Sequence, residues 1–197
     1  MLPPTQPGAA PNLAIGGGKE GVLYLVNRDN MGHFNASNDA VVEKLTLGAP
    51  YPTNPIFFTP AAWTSYIYTG VVNEQIQAYQ FAGGLLRTTP TSASQNSYGY
   101  PGATPMISAN KIANGILWAI DNAGYVGGTL NGAVNPAAAA VLHAYNAQNL
   151  GQELYNSGQS GSRDTCDLAI KYTSPTIANG HVYVGGASSV TVYGPLP

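Results

Sequence analysis

The chain repeats one short pattern of strands and turns, and this repetition limits the folds that it can adopt. The clearest copy spans residues 173–186 and reads as a strand, a two-residue turn and a second strand. Its turn, Asn179-Gly180, is a strong hairpin signal because both of its positions need a positive φ angle. A third strand is predicted at residues 189–194. Such a unit buries its apolar faces only by stacking on further copies.

Further copies lie at residues 59–79 and 104–145, and a partial copy lies at residues 13–26. Pro60 and Pro105 open two of the copies about 45 residues apart, within the roughly 40–50 residues of one propeller blade. The next interval, from Pro105 to Pro175, is about 70 residues, because an insertion at residues 125–140 lengthens the third copy. The alanine run at 137–140 is too short to predict a helix there.

This period predicts an all-β protein, namely a single partial β-propeller domain over residues 1–197. We expect about four four-stranded blades, of which the first lacks an inner strand and the last lacks an outer one. Outer strands are predicted at residues 45–47, 85–89 and 152–155. The blade-like units span residues 11–48, 55–90, 98–157 and 168–197.

The composition agrees with short strands joined by many turns. Only 8% of the residues are charged, against about 25% in typical soluble domains. The chain has 24 Gly and 15 Pro, but its 44% hydrophobic residues and net charge of −2 are not typical of disorder. No basic stripe predicts nucleic-acid binding, no apolar run is long enough to span a membrane, and the first residues do not form a signal peptide. The low charge favours an extracytoplasmic location, periplasmic or secreted.

These repeats resemble the pyrroloquinoline-quinone-type β-propeller family. Residues 16–30 (GGGKEGVLYLVNRDN) are similar to the middle of the family's blade. Residues 141–155 (VLHAYNAQNLGQELY) are similar to its end, and residues 175–186 are similar to its beginning. The resemblance implies a propeller of seven or eight blades. It also implies pyrroloquinoline quinone (PQQ) with calcium as the cofactor in members that are quinone-dependent enzymes.

The chain departs from this family at several positions. The closing tryptophan of the family's blade is replaced by Tyr155 or Leu86, and the aspartate of its Leu-Asp step is replaced by Asn146 or Gln80. The adjacent cysteine pair of some members is absent, since Cys166 is the only cysteine. The resemblance therefore supports the fold more strongly than it supports cofactor binding.

The two incomplete units raise the question of how the sheet edges are covered, because open edges are avoided in folded proteins. Three arrangements satisfy this requirement. The partial units complete one another, or several copies assemble into a homo-oligomer, or the chain is the C-terminal part of a propeller whose N-terminal half is missing from it. The Pro-rich opening at residues 3–8 is compatible with the third arrangement.

No catalytic constellation or metal site is predicted. His33, His143 and His181 are far apart in sequence and form no metal-ligand motif. The Gly-rich stretch before Lys19 lacks the spacing of a phosphate-binding loop. Calcium would need several converging oxygen ligands, for which the acidic side chains to consider are Asp29, Asp121 and Asp164.

Aromatic or basic residues precede each predicted inner strand. In a propeller these linkers meet at the mouth of the central channel, where rings can hold a planar cofactor or a sugar. The alternative is that these aromatic residues seal the junctions between blades. The predicted ligand-binding residues are Phe58, Tyr98, Tyr100, Arg163, Asp164, Lys171 and Tyr172.

The function predicted from the sequence is a non-catalytic β-propeller module for binding or assembly. The first alternative is a PQQ-dependent oxidoreductase, or a fragment of one. The second is a carbohydrate-binding or hydrolytic propeller built on the Tyr-rich linkers.

Overall fold

The backbone consists of β-strands and turns, as the sequence predicts. The computed structural model describes residue 8 and residues 10–125, 129–130, 133–134 and 137–194. In these ranges the only helix is a short 3-10 helix, η1 (Gly161–Asp164), and no sheet closes into a barrel. No helical segment there has the length and apolarity that a membrane crossing requires.

Four antiparallel sheets follow one another along the chain. The first contains β1 (Leu13–Gly17), β2 (Val22–Asn27) and β3 (Glu43–Thr46). The second contains β4 (Ala61–Trp63), β5 (Tyr66–Thr69), β6 (Glu74–Ala82), β7 (Leu85–Leu86) and β8 (Ser92–Tyr98). The third contains β9 (Met106–Asn110), β10 (Ala113–Asp121), β13 (Val141–Asn146) and β14 (Asn149–Asn156), and a small hairpin of β11 (Thr129–Leu130) and β12 (Ala133–Val134) is inserted within it. The fourth contains β15 (Thr176–Ala178), β16 (His181–Gly185) and β17 (Val190–Tyr193).

Consecutive sheets pack on each other through three separate cores. The first core joins sheets one and two, for example through Leu23 and Ile67. The second joins sheets two and three through Tyr68 and Leu117, and the third joins sheets three and four through Leu142 and Val184. Each inner sheet therefore buries both faces.

Side-chain alternation explains how one strand serves two cores. Successive side chains of a strand point to opposite faces of its sheet. On β5, Ile67 belongs to the first core and the next residue, Tyr68, belongs to the second. On β10, Ala119 belongs to the second core and Ile120 to the third. The predicted two-faced strands are therefore present.

The second sheet differs from the prediction at its outer edge. Within the predicted outer strand at 85–89, only Leu85–Leu86 pairs with β6. A longer strand, Ser92–Tyr98, pairs with β6 over most of its length. This segment (SASQNSY) is mostly polar, so it lacks the apolar alternation from which strands are recognised.

The predicted hairpin at Asn179-Gly180 is confirmed. Their φ angles are +51° and +76°, and Ala178 pairs with His181 across the turn. The alanine run of the insertion is not helical, since Ala139 forms a β-bridge with Leu168. Gly127-Gly128, Asn131-Gly132, Leu196-Pro197 and most of the Pro-rich opening lie outside the described residues.

Candidate ligand-binding site

The linkers that enter sheets two, three and four come together and form a group of aromatic side chains. This aromatic cluster consists of Tyr51, Phe57, Tyr100, Tyr125 and Tyr172. Tyr51 and Phe57 lie between β3 and β4, and Tyr100 lies between β8 and β9. Tyr125 follows β10, and Tyr172 precedes β15. Residues far apart in the sequence therefore contribute to one surface.

Phe57 is the centre of the aromatic cluster. Its ring centroid lies 5.5 Å from that of Tyr100, 5.8 Å from Tyr172 and 6.5 Å from Tyr51. The planes meet at 85°, 67° and 74°, respectively, which are edge-to-face arrangements. Such contacts place the positive edge of one ring against the negative face of another.

The hydroxyl groups add polar contacts to this apolar surface. The hydroxyls of Tyr100 and Tyr172 lie 2.8 Å apart and form a hydrogen bond. Burial, together with this bond, raises the pKa of Tyr100 above its ordinary value, and burial also raises the pKa of Tyr125. Both phenols are therefore neutral at pH 7.

Part of the aromatic cluster is open to solvent. Tyr51 and Tyr172 are each 52% exposed, whereas Tyr125 is 3% exposed and forms the base. Tyr172 has a φ angle of +68°, which is unusual for a residue other than glycine. The backbone strain at Tyr172 accompanies the placement of its ring beside Phe57 and Tyr100.

Two lysines flank the aromatic cluster on opposite sides. Lys19 Nζ lies 5.5 Å from the ring centroid of Tyr51 and 6.0 Å from that of Phe57. Lys171 Nζ lies 5.8 Å from the ring centroid of Tyr125 and 5.7 Å from that of Tyr172. At these distances an ammonium is attracted to the ring face.

No salt bridge among the described residues neutralises the charge of the two lysines. The three salt bridges in the described part of the chain are Lys44–Asp39, His143–Glu153 and Arg163–Asp164, and none of them includes Lys19 or Lys171. Both ammonium groups therefore contribute positive charge beside the aromatic cluster, although the chain as a whole carries a net charge of −2.

Backbone hydrogen bonds explain how Lys19 reaches this surface. The amide of Tyr51 donates to the carbonyl of Lys19 at 2.8 Å, and the amide of Ile56 donates to that of Gly18 at 3.1 Å. The β1–β2 turn is thereby attached to the linker that carries Tyr51 and Phe57.

A buried amide next to the aromatic cluster has an unused acceptor. Asn122 is 2% exposed, and its Nδ2 donates to the carbonyl of Thr173 at 3.1 Å. Its Oδ1 has no hydrogen-bond partner among the described residues. Because this oxygen is buried, it does not form part of the surface that the aromatic cluster presents to a ligand.

The predicted site residues fall into three groups. Tyr100, Lys171 and Tyr172 lie in or beside the aromatic cluster. Phe58 is 6% exposed in the first core, and Tyr98 is 1% exposed in the second, so neither presents surface to a ligand. For Phe58 the reason is alternation, because adjacent residues of an extended linker point in opposite directions and Phe57 faces outwards.

Arg163 and Asp164 lie in a different place, a cleft of about 500 Å³ between the third and fourth sheets. Its walls include Trp118, Tyr155 and Tyr193. Arg163 Nε donates to one carboxylate oxygen of Asp164 at 2.6 Å, and the Tyr155 hydroxyl donates to the other at 2.7 Å. These bonds hold the pKa of Asp164 well below its usual range. The two charges satisfy each other and do not contribute to the aromatic cluster.

Sequence reasoning missed Lys19, Tyr51 and Tyr125. Lys19 and Tyr51 belong to turns whose pairing is a tertiary contact, so no local pattern connects them. Tyr125 lies at the start of the insertion, outside the repeated pattern from which the site residues were predicted. Phe57 was visible next to Phe58, and the alternation rule could have identified it as the outward residue.

PQQ with calcium would need converging oxygen ligands and a flat slot for the quinone. Within the described ranges, no three His, Cys, Asp or Glu side chains converge as metal ligands would. Asp29 accepts from Asn12, Asp121 accepts from the amide of Ala123, and Asp164 is paired with Arg163. The aromatic rings meet edge to face and leave no parallel pair between which a planar quinone could insert. These residues do not fit that cofactor.

No protein-family model matches the chain, and no curated protein matches it. Among solved structures, the chain is similar to Ika8, a computationally designed protein, with 12% sequence identity and a TM-score of 0.42. The match covers 93% of this chain and 56% of Ika8, so the chain spans little more than half the length of that protein. At this TM-score the similarity supports no conclusion about function.

Proposed function

We propose that this protein is a non-catalytic β-propeller module that binds an acidic saccharide at the aromatic cluster. The observation that carries the proposal is the convergence of five aromatic rings and two lysines from linkers between sheets and from turns within them. We also propose, from the low fraction of charged residues, that the protein is extracytoplasmic, and acidic polysaccharides occur outside the cytoplasm.

The arrangement of the sheets supports the propeller part of the proposal. In a propeller, sheets stack face to face around an axis, and equivalent linkers meet at one end of it. Here three cores join the sheets in chain order, and equivalent linkers converge at one place. The sequence repeats are only weakly similar to one another, and each falls mainly in one sheet, as expected if each sheet is one blade.

The chemistry of the aromatic cluster supports an anionic, hydroxyl-bearing ligand. The half-exposed rings of Tyr51 and Tyr172 offer apolar surface against which a sugar ring can pack. Lys19 and Lys171 offer positive charge for a carboxylate, and the phenols donate and accept hydrogen bonds. A neutral saccharide would leave both ammonium groups without a counter-charge.

The quinone-dependent alternative receives less support from this site. It would need converging oxygen ligands for calcium, and the described residues do not provide them. It would also give a coloured, redox-active complex on reconstitution with the cofactor, which separates it from saccharide binding.

Isothermal titration calorimetry tests the proposal, with trigalacturonic acid as the acidic probe and galactotriose as the neutral one. We expect binding of the acidic probe only. We also expect its affinity to fall as the salt concentration rises, because exposed charges are screened over about 8–10 Å at physiological ionic strength. Equal binding of both probes would contradict the role of the lysines, and binding of neither would contradict the saccharide ligand.

Matched lysine variants locate the site. Lys171→Gln removes one of the flanking charges, and Lys111→Gln removes an exposed lysine on the β9–β10 turn. Lys171→Gln should weaken binding of trigalacturonic acid about fivefold, as expected for an exposed cation. Lys111→Gln should leave the affinity unchanged. An equal effect of both substitutions would mean that only the overall charge matters and that the aromatic cluster is not the site.

A further inference from the structure

The first and fourth sheets each present an apolar face that no described residue covers. On the first sheet, Leu23 and Leu25 point into the first core, so alternation turns their neighbours away from it. The paired residues on that open face are Ala14 with Val26 and Gly16 with Tyr24. On the fourth sheet, Val182 and Val184 point into the third core. Tyr183 pairs with Val192 on the opposite, open face.

Both faces expose large apolar side chains. Val190 is 61% exposed and Val192 is 52% exposed on the fourth sheet. The first sheet has a mainly apolar concave surface that includes Ala14, Tyr24 and Val26. Beside it, the β2–β3 loop adds Met31 and Phe34 among polar side chains such as Glu20 and Asp39. Phe34 is 94% exposed. Exposed apolar side chains grouped in this way are a mark of an interaction site.

Within the chain, the equivalent faces are covered by the next sheet. The face of sheet two that carries Tyr68 packs on sheet three. The face of sheet three that carries Ile120 packs on sheet four. The face of sheet four that carries Tyr183 is the next in this series, and the described residues supply no following sheet for it. In the same way, they supply no preceding sheet for the open face of sheet one.

We infer that a second copy of this chain supplies both missing neighbours. The fourth sheet of each copy packs on the first sheet of the other, and the two copies close a ring of eight sheets. The occupant is a second copy because such a contact repeats the sheet-on-sheet packing that three cores already form in the chain. The number is two because propellers contain four to eight blades, and three copies would exceed this limit.

The contact is head to tail, because it joins two different faces. Head-to-tail contacts form closed rings when the rotation closes and filaments when it does not. The ring rests on the propeller arrangement proposed above but not on the ligand, so the outcome of the saccharide titration does not affect it.

Light scattering after gel filtration measures the assembly. The expected mass is twice the chain mass of 20.4 kDa. Val192→Lys on the fourth sheet and Val26→Lys on the first sheet should each raise the dissociation constant at least about tenfold, because each buries an unpaired charge in the contact. Ile112→Lys, at a residue that is 80% exposed on the β9–β10 turn, is the matched control and should leave the mass unchanged. Circular dichroism and thermal melting confirm that each variant folds.

Mixing the two interface variants tests the head-to-tail geometry. In the mixture, the intact first sheet of Val192→Lys can meet the intact fourth sheet of Val26→Lys, so dimers should return with one contact instead of two. A mixture that stays monomeric would contradict the head-to-tail contact. A single variant that has no effect would instead indicate a contact between identical faces. A wild-type chain that is monomeric at all concentrations, or one whose mass grows without limit, would overturn the two-copy ring.

Discussion

Tyrosine hydroxyls form many of the polar contacts inside this chain, which has few charged residues. The hydroxyl of Tyr68, on the second sheet, donates to the carbonyl of Ala147, on the third, at 2.8 Å. The hydroxyls of Tyr98 and Tyr145 lie 2.8 Å apart and join the same two sheets. A buried hydroxyl that lacks a partner is costly, so these bonds also define how the sheets are aligned.

These buried tyrosines predict a loss of stability at alkaline pH. Burial raises the pKa of Tyr98 far above its ordinary value of 10, and burial with the nearby Glu74 charge raises the pKa of Tyr79 to about 12. Below pH 10 both phenols are protonated in the folded and the unfolded chain, so the free energy of unfolding does not change with pH through them in that range. Above pH 10 the unfolded chain loses protons first, and each such group lowers the free energy of unfolding by about 1.4 kcal/mol per pH unit.

Urea denaturation at a series of pH values measures this effect, and Tyr98→Phe is the diagnostic variant. At pH 7 it should be less stable than the wild type by about 1 kcal/mol, because one buried hydrogen bond is lost. Above pH 10 the two stabilities should converge, since the variant has one fewer phenol to ionise on unfolding. Parallel curves up to pH 12 would contradict the assignment of this slope to Tyr98.

At the scale of single residues, the sequence predicted which residue types lie in the linkers better than the directions in which their side chains point. Tyr100, Lys171 and Tyr172 were identified because they precede predicted inner strands. Phe58 precedes one as well, but it points to the opposite side from its neighbour Phe57. Tyr98 is the last residue of β8, and its ring lies in the second core. Position in the repeat therefore located the linkers, and the tertiary structure decided which side chains face outwards.

At the scale of elements, neighbouring sheets approach each other closely where a glycine faces an aromatic ring. Gly115 on β10 faces Trp63 on β4, and a Cβ at position 115 would lie 2.6 Å from two atoms of the indole ring. The indole cannot easily withdraw, because it is 8% exposed and its Nε1 donates to the carbonyl of Lys111 at 2.8 Å. The absence of a side chain at Gly115 thus allows sheets two and three to meet.

Gly115→Ala should therefore destabilise the protein by about 1–3 kcal/mol, the usual cost of overpacking. Urea denaturation gives the stability, and tryptophan fluorescence reports any displacement of Trp63. Gly158→Ala is the control, because a Cβ there would meet nothing nearer than 3.4 Å. Its stability should stay within about 0.5 kcal/mol of the wild type. Equal stability of the two variants would contradict the close contact between Gly115 and Trp63.

The elements themselves were partly predictable from the sequence. The Asn179-Gly180 hairpin was recognised because its residue types suit positive φ angles. The strand Ser92–Tyr98 was missed because its outward side chains are polar, and its pairing depends on β6 rather than on its own pattern. Strands held by a neighbour's backbone leave little signal in their own residues.

At the scale of the whole molecule, the four sheets form a series in which the three cores join each sheet to the next. The repeat in the sequence predicted a series of stranded units, but the convergence of linkers at the aromatic cluster depends on how the units rotate relative to one another. That rotation comes from side-chain packing in the cores, and the sequence period does not contain it.

A linear series of sheets predicts that the protein loosens from its ends. The inner sheets bury both faces, whereas the first and fourth bury one each, so opening an end sheet breaks only one core. In the isolated chain, amide hydrogens should exchange most slowly in β5, β6, β10 and β13 and faster in β2 and β16.

Val184→Ala, at a residue 1% exposed in the third core, should cost about 2 kcal/mol and speed exchange in β15–β17 by about 30-fold. Leu23→Ala in the first core is the mirror experiment and should speed exchange in β1–β3 while leaving β15–β17 unchanged. If either substitution accelerated exchange equally in all four sheets, the chain would unfold as one cooperative unit, and each core would stabilise the whole molecule rather than the two sheets that it joins.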